Sequence, residues 1–90
     1  MRKRVNIPFT ANISAGSYTT LKIDTSPYLS DGYNPIYPVG WNISGSVFVT
    51  IPMLQLNEKI IEVTLGNANV DYNIALQGNI ILLTGKNYAE

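Results

Sequence analysis

The chain holds few of the residue types that usually perform catalysis. Among its 90 residues there is no histidine and no cysteine, which removes imidazole bases, thiolate nucleophiles and the ligands that zinc prefers. Two carboxylates that flank a glycosidic bond can hydrolyse it, and Glu58 and Glu62 are the candidates for such a pair. A hairpin is predicted at that point, however, so we interpret both as surface residues. The sequence predicts that the protein is not an enzyme.

Metal and cofactor sites are likewise not indicated. A calcium site needs several carboxylate or amide oxygens in one loop. Asp31 with Asn34 supplies too few, and the other candidate is Asn67, Asn69 and Asp71 at alternate positions. There is no glycine-rich phosphate loop and no spacing typical of a metal site. We therefore predict neither a metal nor a cofactor.

The residues best suited to binding are aromatic and cluster between positions 25 and 38. Sugar recognition uses flat aromatic faces together with polar groups for the hydroxyls. The predicted ligand-binding residues are accordingly Tyr28, Asp31, Tyr33, Asn34 and Tyr37. The alternatives are that these tyrosines pack the loop onto the domain or lie in a subunit interface. Trp41 falls inside a predicted strand, where core packing is expected.

Size and charge narrow the possible functions. A chain of 90 residues forms one domain, residues 1–90, with a modest core, and without cysteine or histidine subunit association is the expected support. Six basic residues balance six acidic ones, and the only basic cluster, Arg2-Lys3-Arg4, is interpreted as a flexible terminus. Nucleic-acid binding, which needs clustered Lys and Arg, is disfavoured. The alternation in Val5–Thr10 predicts neither a signal peptide nor membrane insertion.

The elements that would position these residues are short β-strands. Strands are predicted at residues 4–13, 18–24, 39–43, 46–56, 59–65, 70–76 and 79–84, because apolar and polar residues alternate there between Gly, Asn and Pro turns. Pro8 predicts an edge strand or a bulge, and Pro52 a bulge or a strand end. Helix is not expected beyond a single turn. The prediction is an all-β domain, a small β-sandwich or jelly roll of about seven to eight antiparallel strands.

Short motifs in this pattern resemble a known family. Ala15-Gly16-Ser17-Tyr18, then Gly32-Tyr33-Asn34-Pro35, then Val39-Gly40-Trp41-Asn42 follow an order similar to that in the C-terminal head domains of bacteriophage tail-fibre and minor structural proteins. The closing β segment, residues 73–84, is also similar to theirs. The likeness spans most of residues 7–84, and its motifs are short and structural in character, so no ligand residues are carried over.

The resemblance implies a small sandwich or jelly roll that forms a homotrimer at a fibre tip in the virion and binds host-surface saccharide. Release of virions by lysis would agree with the absence of a predicted signal peptide. The expected function is thus a non-catalytic, trimeric receptor-binding head. The alternative is a purely structural virion component, such as a capsid decoration, collar or baseplate protein, whose partners are other virion proteins.

Overall fold

The fold is all-β, as the sequence predicts. A computed structural model of the chain describes residues 1–44 and 48–86. One turn of 3₁₀-helix at Ser26–Tyr28 accompanies six strands, whose bounds are β1 (Arg2–Ile13), β2 (Tyr18–Asp24), β3 (Asn34–Ser44), β4 (Val49–Asn57), β5 (Ile60–Asn67) and β6 (Ile74–Gly85).

The strands form two antiparallel three-stranded sheets that pack as a small sandwich. The first sheet has the order β1-β6-β3 and the second the order β2-β5-β4. Only β4 and β5 are joined as a hairpin within one sheet, and every other connection passes from one sheet to the other. Alternate residues of the strands face inward, as strand geometry requires. The buried apolar side chains are Ile7, Phe9, Ala11, Ile13, Ile61, Val63, Leu65, Leu76, Ile80 and Leu82.

Proline placement agrees with the sheet order. Pro8 lies on β1, Pro35 and Pro38 on β3, and Pro52 on β4, and all three are edge strands. Proline has no N–H to donate to a neighbouring strand, so it is confined to edge strands and bulges. The register shifts between Thr50 and Met53, which confirms the bulge expected at Pro52. The two central strands, β5 and β6, contain no proline.

Several predicted strand boundaries are wrong. The two strands predicted at 70–76 and 79–84 are one continuous strand, β6. Gly78 within it is not a turn: it pairs with both Phe9 and Ile43, and a Cβ there would lie 2.7 Å from the Phe9 ring. Glycine is required at this position by close packing. The described residues therefore form six strands rather than seven to eight.

The two ends of the first sheet also extend further than expected. Strand β3 begins at Asn34 instead of residue 39, because bulges at Pro35/Tyr37 and Pro38/Gly40 accommodate its prolines. Strand β1 begins at Arg2, which pairs with Gly85, so residues 2–4 belong to the sheet and not to a flexible terminus. Residues 46 and 47 of the fourth predicted strand lie outside the described residues.

Candidate functional site

The segment between β2 and β3 contains the residues predicted to bind a ligand. Thr25 anchors its start, because its side chain is fully buried and both its hydroxyl and its N–H donate to the carbonyl of Lys59, at 2.8 and 2.9 Å. Tyr28 ends the 3₁₀ turn and is 38% exposed. Asp31 and Gly32 form the expected turn, in which Gly32 has a φ of 79°. The segment is thus held at its start by the Lys59 carbonyl, and within it the backbone N–H groups of Tyr28 and Tyr33 donate to the carbonyls of Thr25 and Ser30.

Tyr33 packs against the first strand. The ammonium group of Lys3 lies 5.3 Å from the centre of the Tyr33 ring and donates a hydrogen bond to Ser30 at 2.6 Å. A cation placed over an aromatic face is attracted by the ring quadrupole. Lys3 pairs with the buried Thr84, so it belongs to the inward side of the first sheet. Tyr33 therefore lies against the Lys3 side chain, on the inward side of the first sheet.

Asn34 and Tyr37 lie on the other side of the same sheet. They pair with Gly85 and Leu83, which alternate with the buried Thr84 and Leu82 and so belong to the outward side. Tyr37 is 51% exposed. Asn34 and Tyr37 therefore lie on the opposite side of the first sheet from Tyr33, and the structure does not bring Tyr33 and Tyr37 into one site.

A concavity lies elsewhere on the outward side of the first sheet. It has a volume of about 440 Å³, and its floor is the row of backbone formed by Phe9, Gly78 and Ile43. The neighbouring rows supply its walls, which are Pro8, Thr10, Asn42, Ser44, Gln77 and Asn79. A second concavity of about 400 Å³ shares Thr10, Ser44 and Gln77 with it. We call the two together the sheet groove.

The polar groups of the sheet groove are unengaged. Within the described part of the chain, no side-chain hydrogen bond is made by the five polar wall residues, Thr10, Asn42, Ser44, Gln77 and Asn79. Each amide offers two donors and an acceptor, and each hydroxyl offers both functions. None of the lining residues that the structure describes is charged. The groove can therefore form several hydrogen bonds to a neutral polar ligand.

In the Asn-rich loop between β5 and β6, by contrast, the side-chain amides form hydrogen bonds within the protein. Asn67 is 3% exposed, and its amide nitrogen donates to the carbonyls of Tyr72, Ile13 and Ser14 at 2.8, 3.2 and 3.3 Å. Its amide oxygen accepts from the N–H of Asn69, whose own side-chain oxygen accepts from the N–H of Asp71. These oxygens stabilise the loop. The described residues contain no cluster of three or more acidic, His or Cys side chains that could hold a metal ion.

The two carboxylates considered as a glycosidase pair are not arranged around a cleft. Glu62 lies on the outward side of the second sheet, where Gln55 donates to it at 2.9 Å and Lys22 approaches it at 3.6 Å. Glu58 occupies the β4–β5 turn with a φ of 58°. A residue in that region usually serves a turn. Both positions agree with the surface roles inferred from the sequence.

The carboxylate of Asp24 interacts with the turn that follows β2. Its side chain accepts a hydrogen bond from the backbone N–H of Ser26 at 3.0 Å. This hydrogen bond, with a smaller contribution from the Ser26 hydroxyl, lowers the pKa of Asp24 because it stabilises the charged form. Lys59 lowers the pKa slightly further. The interaction caps the turn that begins the β2–β3 segment.

Comparisons with known proteins identify no relative of this chain. The chain matches no protein-family model, no curated protein and no solved structure. Among the residues described there is no helix with the length and hydrophobicity that crossing a membrane requires.

The residues of the sheet groove were not identified from the sequence. The sequence pattern predicts only that Thr10 belongs to a strand, and it predicts a turn at residues 77 and 78, between the strands at 70–76 and 79–84. Their convergence depends on the order β1-β6-β3, which brings the first, last and third strands together. The sequence did contain one signal for this site: uncharged polar residues occupy outward positions in each of these three strands.

Proposed function

We propose that the protein is a non-catalytic binding domain that recognises saccharide through the sheet groove. The observation that carries this proposal is the set of five uncharged polar side chains that converge on one concavity and make no side-chain hydrogen bond within residues 1–44 and 48–86. Amide and hydroxyl groups match the alternating donors and acceptors of sugar hydroxyls. The concavity of about 440 Å³ is within the usual range of small-ligand sites, roughly 300–1,000 Å³.

The chemistry of the groove favours a neutral ligand. Its lining residues carry no charge, and phosphate or carboxylate recognition would require Arg, Lys or a set of backbone N–H groups. A neutral hydrogen bond contributes about 0.5–1.5 kcal/mol, so each side chain supplies little by itself. Affinity for a single sugar is expected to be low, and several copies of the domain on one particle would raise it through avidity.

The resemblance of the sequence motifs to phage head domains supports a biological setting for this binding. We propose a homotrimeric head at the tip of a virion fibre, which binds host-surface saccharide. The alternative is a structural virion component that contacts only other virion proteins, and the exposed apolar side chains of β3 favour it. The two functions differ in one observable, because the structural component has no saccharide ligand.

A glycan array followed by titration calorimetry tests the proposal. We expect the wild-type protein to bind at least one neutral glycan, and Asn42→Ala and Gln77→Ala each to weaken that binding by roughly two- to tenfold. Asn57→Ala is the matched control, because Asn57 is an exposed amide on the second sheet and should not change affinity. Absence of any glycan ligand would refute saccharide binding and favour the structural component.

The same variants separate the groove from the tyrosine segment. If Tyr37→Ala abolished binding while Asn42→Ala and Gln77→Ala left it unchanged, the ligand would bind at Tyr37, and the sheet groove would be the wrong site. Unfolding curves for all variants verify that each retains the fold.

A further inference from the structure

The first sheet carries positive charge without negative charge. Its three strands, β1, β6 and β3, contain no Asp or Glu, and their charged residues are Arg2, Lys3 and Arg4. Lys3 lies on the inward side of the sheet, where its ammonium group contacts Ser30 and Tyr33. The acidic residues that the structure describes lie in the second sheet or in the turns and loops. The two arginines therefore have no acidic neighbour within their own sheet.

Arg2 and Arg4 lie on the outward side of this sheet. Arg2 pairs with Gly85 and Arg4 pairs with Leu83, and these two β6 residues alternate with the buried Thr84. Both arginines are exposed. Neither forms a hydrogen bond or an ion pair within the described part of the chain. Their guanidinium groups are thus available to an external ligand.

Strand β3 adds a polar and an aromatic side chain to the rows that contain these arginines. Across β6, Asn34 lies in the same row as Arg2, and Tyr37 lies in the same row as Arg4. Asn34 makes no side-chain hydrogen bond within residues 1–44 and 48–86, and Tyr37 is 51% exposed. A concavity of about 270 Å³ has Arg2 and Asn34 among its lining residues. We call Arg2, Arg4, Asn34 and Tyr37 the arginine end.

The arginine end and the sheet groove belong to one side of one sheet. A single row, formed by Asn6, Ile81 and Gly40, separates the arginine end from the row of the groove that begins at Pro8. A Cβ at Gly40 would meet no atom within 4 Å, so this row is open on the β3 side. At roughly 3.3 Å per residue along β1, Arg4 lies about 13 Å from Pro8, which is farther than one sugar ring extends. A ligand that contacts both regions must therefore contain several sugar units.

We propose that the ligand of the sheet groove is an acidic oligosaccharide. Its neutral units occupy the uncharged groove, and its carboxylate, sulfate or phosphate groups lie at the arginine end. Arginine binds such groups through paired N–H donors, and the exposed Tyr37 ring offers a flat face to a sugar. This inference rests on the proposed saccharide binding and names the class of saccharide. A purely anionic surface, such as a membrane, would use the arginines but not the neighbouring amides and hydroxyls of the groove.

An array of neutral glycans and their carboxylated, sulfated and phosphorylated counterparts tests the inference. We expect the acidic form of a bound glycan to bind more tightly than the neutral form of the same length. This preference should shrink at about 0.5 M salt, because screening weakens the attraction between exposed charges. Equal binding of the acidic and neutral forms would overturn the inference and leave saccharide binding intact. An array with no bound glycan would refute saccharide binding itself, and this inference with it.

Arginine variants test where the acidic groups bind. Arg2→Gln and Arg4→Gln should each weaken binding of the acidic glycan by about two- to fivefold and leave the neutral form unaffected. Lys22→Gln is the matched control, because Lys22 pairs with Glu62 on the outward side of the second sheet, and its loss changes the net charge equally. If all three variants had the same effect, the attraction would come from the net charge and not from the arginine end. Binding of the wild type to phosphatidylserine vesicles, with no preference for acidic glycans, would instead assign the arginines to a membrane surface.

A pair of variants at Gly40 tests whether one ligand spans both regions. Gly40→Glu places a negative charge between the arginine end and the groove, and Gly40→Gln adds a neutral side chain of nearly the same size. The glutamate should weaken binding of the acidic glycan more than the glutamine does, and the two should affect the neutral form equally. Equal losses for the acidic glycan would contradict a ligand that crosses this row.

Trp41, the only tryptophan in the chain, reports on the opposite side of the sheet. It pairs with the buried Ile80 and so belongs to the inward side. It is nevertheless 47% exposed and not a core residue as expected, because β3 is an edge strand. We expect the acidic glycan to leave the fluorescence of Trp41 and its quenching by acrylamide unchanged. Protection of Trp41 from acrylamide by the glycan would place the ligand on the inward side and rule out the arginine end.

Discussion

Tyr18 on β2 lies opposite Gly66 on β5, and its ring occupies the space that a side chain at position 66 would need. A Cβ built on Gly66 would lie 2.7 Å from Cε1 of Tyr18 and 2.6 Å from Oγ1 of Thr50. Glycine within a central strand leaves backbone uncovered, and an aromatic ring from the neighbouring strand can cover it. Tyr18 is 68% exposed and still has this structural role.

Gly66→Ala should destabilise the fold. The added methyl group would have to displace the Tyr18 ring and the Thr50 hydroxyl, and overpacking of this kind costs about 1–3 kcal/mol. Urea unfolding, followed by circular dichroism, measures the change. Tyr18→Ala should make Gly66→Ala less costly, because it removes one of the two obstacles.

Gly40→Ala is the matched control for the glycine prediction. A Cβ at Gly40 meets no atom within 4 Å, and the residue does not have a positive φ. Its substitution should change stability by less than about 0.5 kcal/mol or raise it slightly by restricting the unfolded chain. Equal effects at the two glycines would mean that the Tyr18 ring does not restrict position 66.

The strand pattern of the sandwich was predictable because it follows from local alternation. Ile7, Phe9 and Ala11 alternate with polar residues, and all three are buried. The predictions from Pro8 and Pro52 were also correct, because a residue without an N–H donor disfavours a central strand. These signals depend only on near neighbours in the sequence.

The binding surfaces were less predictable because they depend on strand order. Thr10, Asn42 and Gln77 meet only because β1 and β3 both pair with β6. Gly78 looked like a turn residue, yet it is needed for close contact with Phe9. Tyr33 and Tyr37 looked like one cluster, but bulges and strand pleating separate them onto two sides of a sheet. These relationships depend on strand order and on bulges, which the local alternation of apolar and polar residues does not determine.

Asn67→Asp should be strongly destabilising. The buried amide nitrogen of Asn67 donates to three backbone carbonyls, one each from Ile13, Ser14 and Tyr72. A carboxylate would face those three oxygens with no hydrogen to donate, in a site that is 3% exposed. Losing a buried donor costs about 1–3 kcal/mol, and more when a charge replaces it. Chemical denaturation should therefore show a loss of about 3 kcal/mol or more.

Asn12→Asp makes the same chemical change at an exposed position of β1. Asn12 makes no side-chain hydrogen bond in the described part of the chain, so its substitution should alter the free energy of unfolding by less than about 0.5 kcal/mol. Similar losses for Asn12→Asp and Asn67→Asp would contradict the buried role of Asn67.

Deletion of residues 2–4 should destabilise the domain, because they form the first part of β1. The hydroxyl of Thr84, a residue that is 1% exposed, donates to the carbonyl of Lys3 at 2.8 Å. Removing that acceptor leaves a buried donor unpaired, at a cost of about 1–3 kcal/mol. Urea unfolding measures the loss.

Replacing Arg2, Lys3 and Arg4 by serine is the control for that deletion. The backbone pairing with β6 remains, so the loss should be clearly smaller than for the deletion. If the two variants were equally stable, the strand pairing of residues 2–4 would contribute nothing.

The stability of the β2–β3 segment should depend on pH through Asp24. Hydrogen bonding to Ser26 lowers the pKa of this carboxyl in the folded protein, so its stabilising effect is present above the pKa of the unfolded chain and is lost as pH falls through the folded value. In Asp24→Asn this contribution is absent at every pH. The difference in urea midpoint between wild type and Asp24→Asn should therefore shrink between about pH 5 and about pH 2.

Carbon-detected NMR titration should give a pKa below 3.8 for Asp24. Lys59→Met should leave most of this lowering of the pKa in place, because the backbone hydrogen bond from Ser26 is its largest cause. An unshifted Asp24 pKa, or a pKa restored by Lys59→Met alone, would show that the turn does not stabilise the carboxylate.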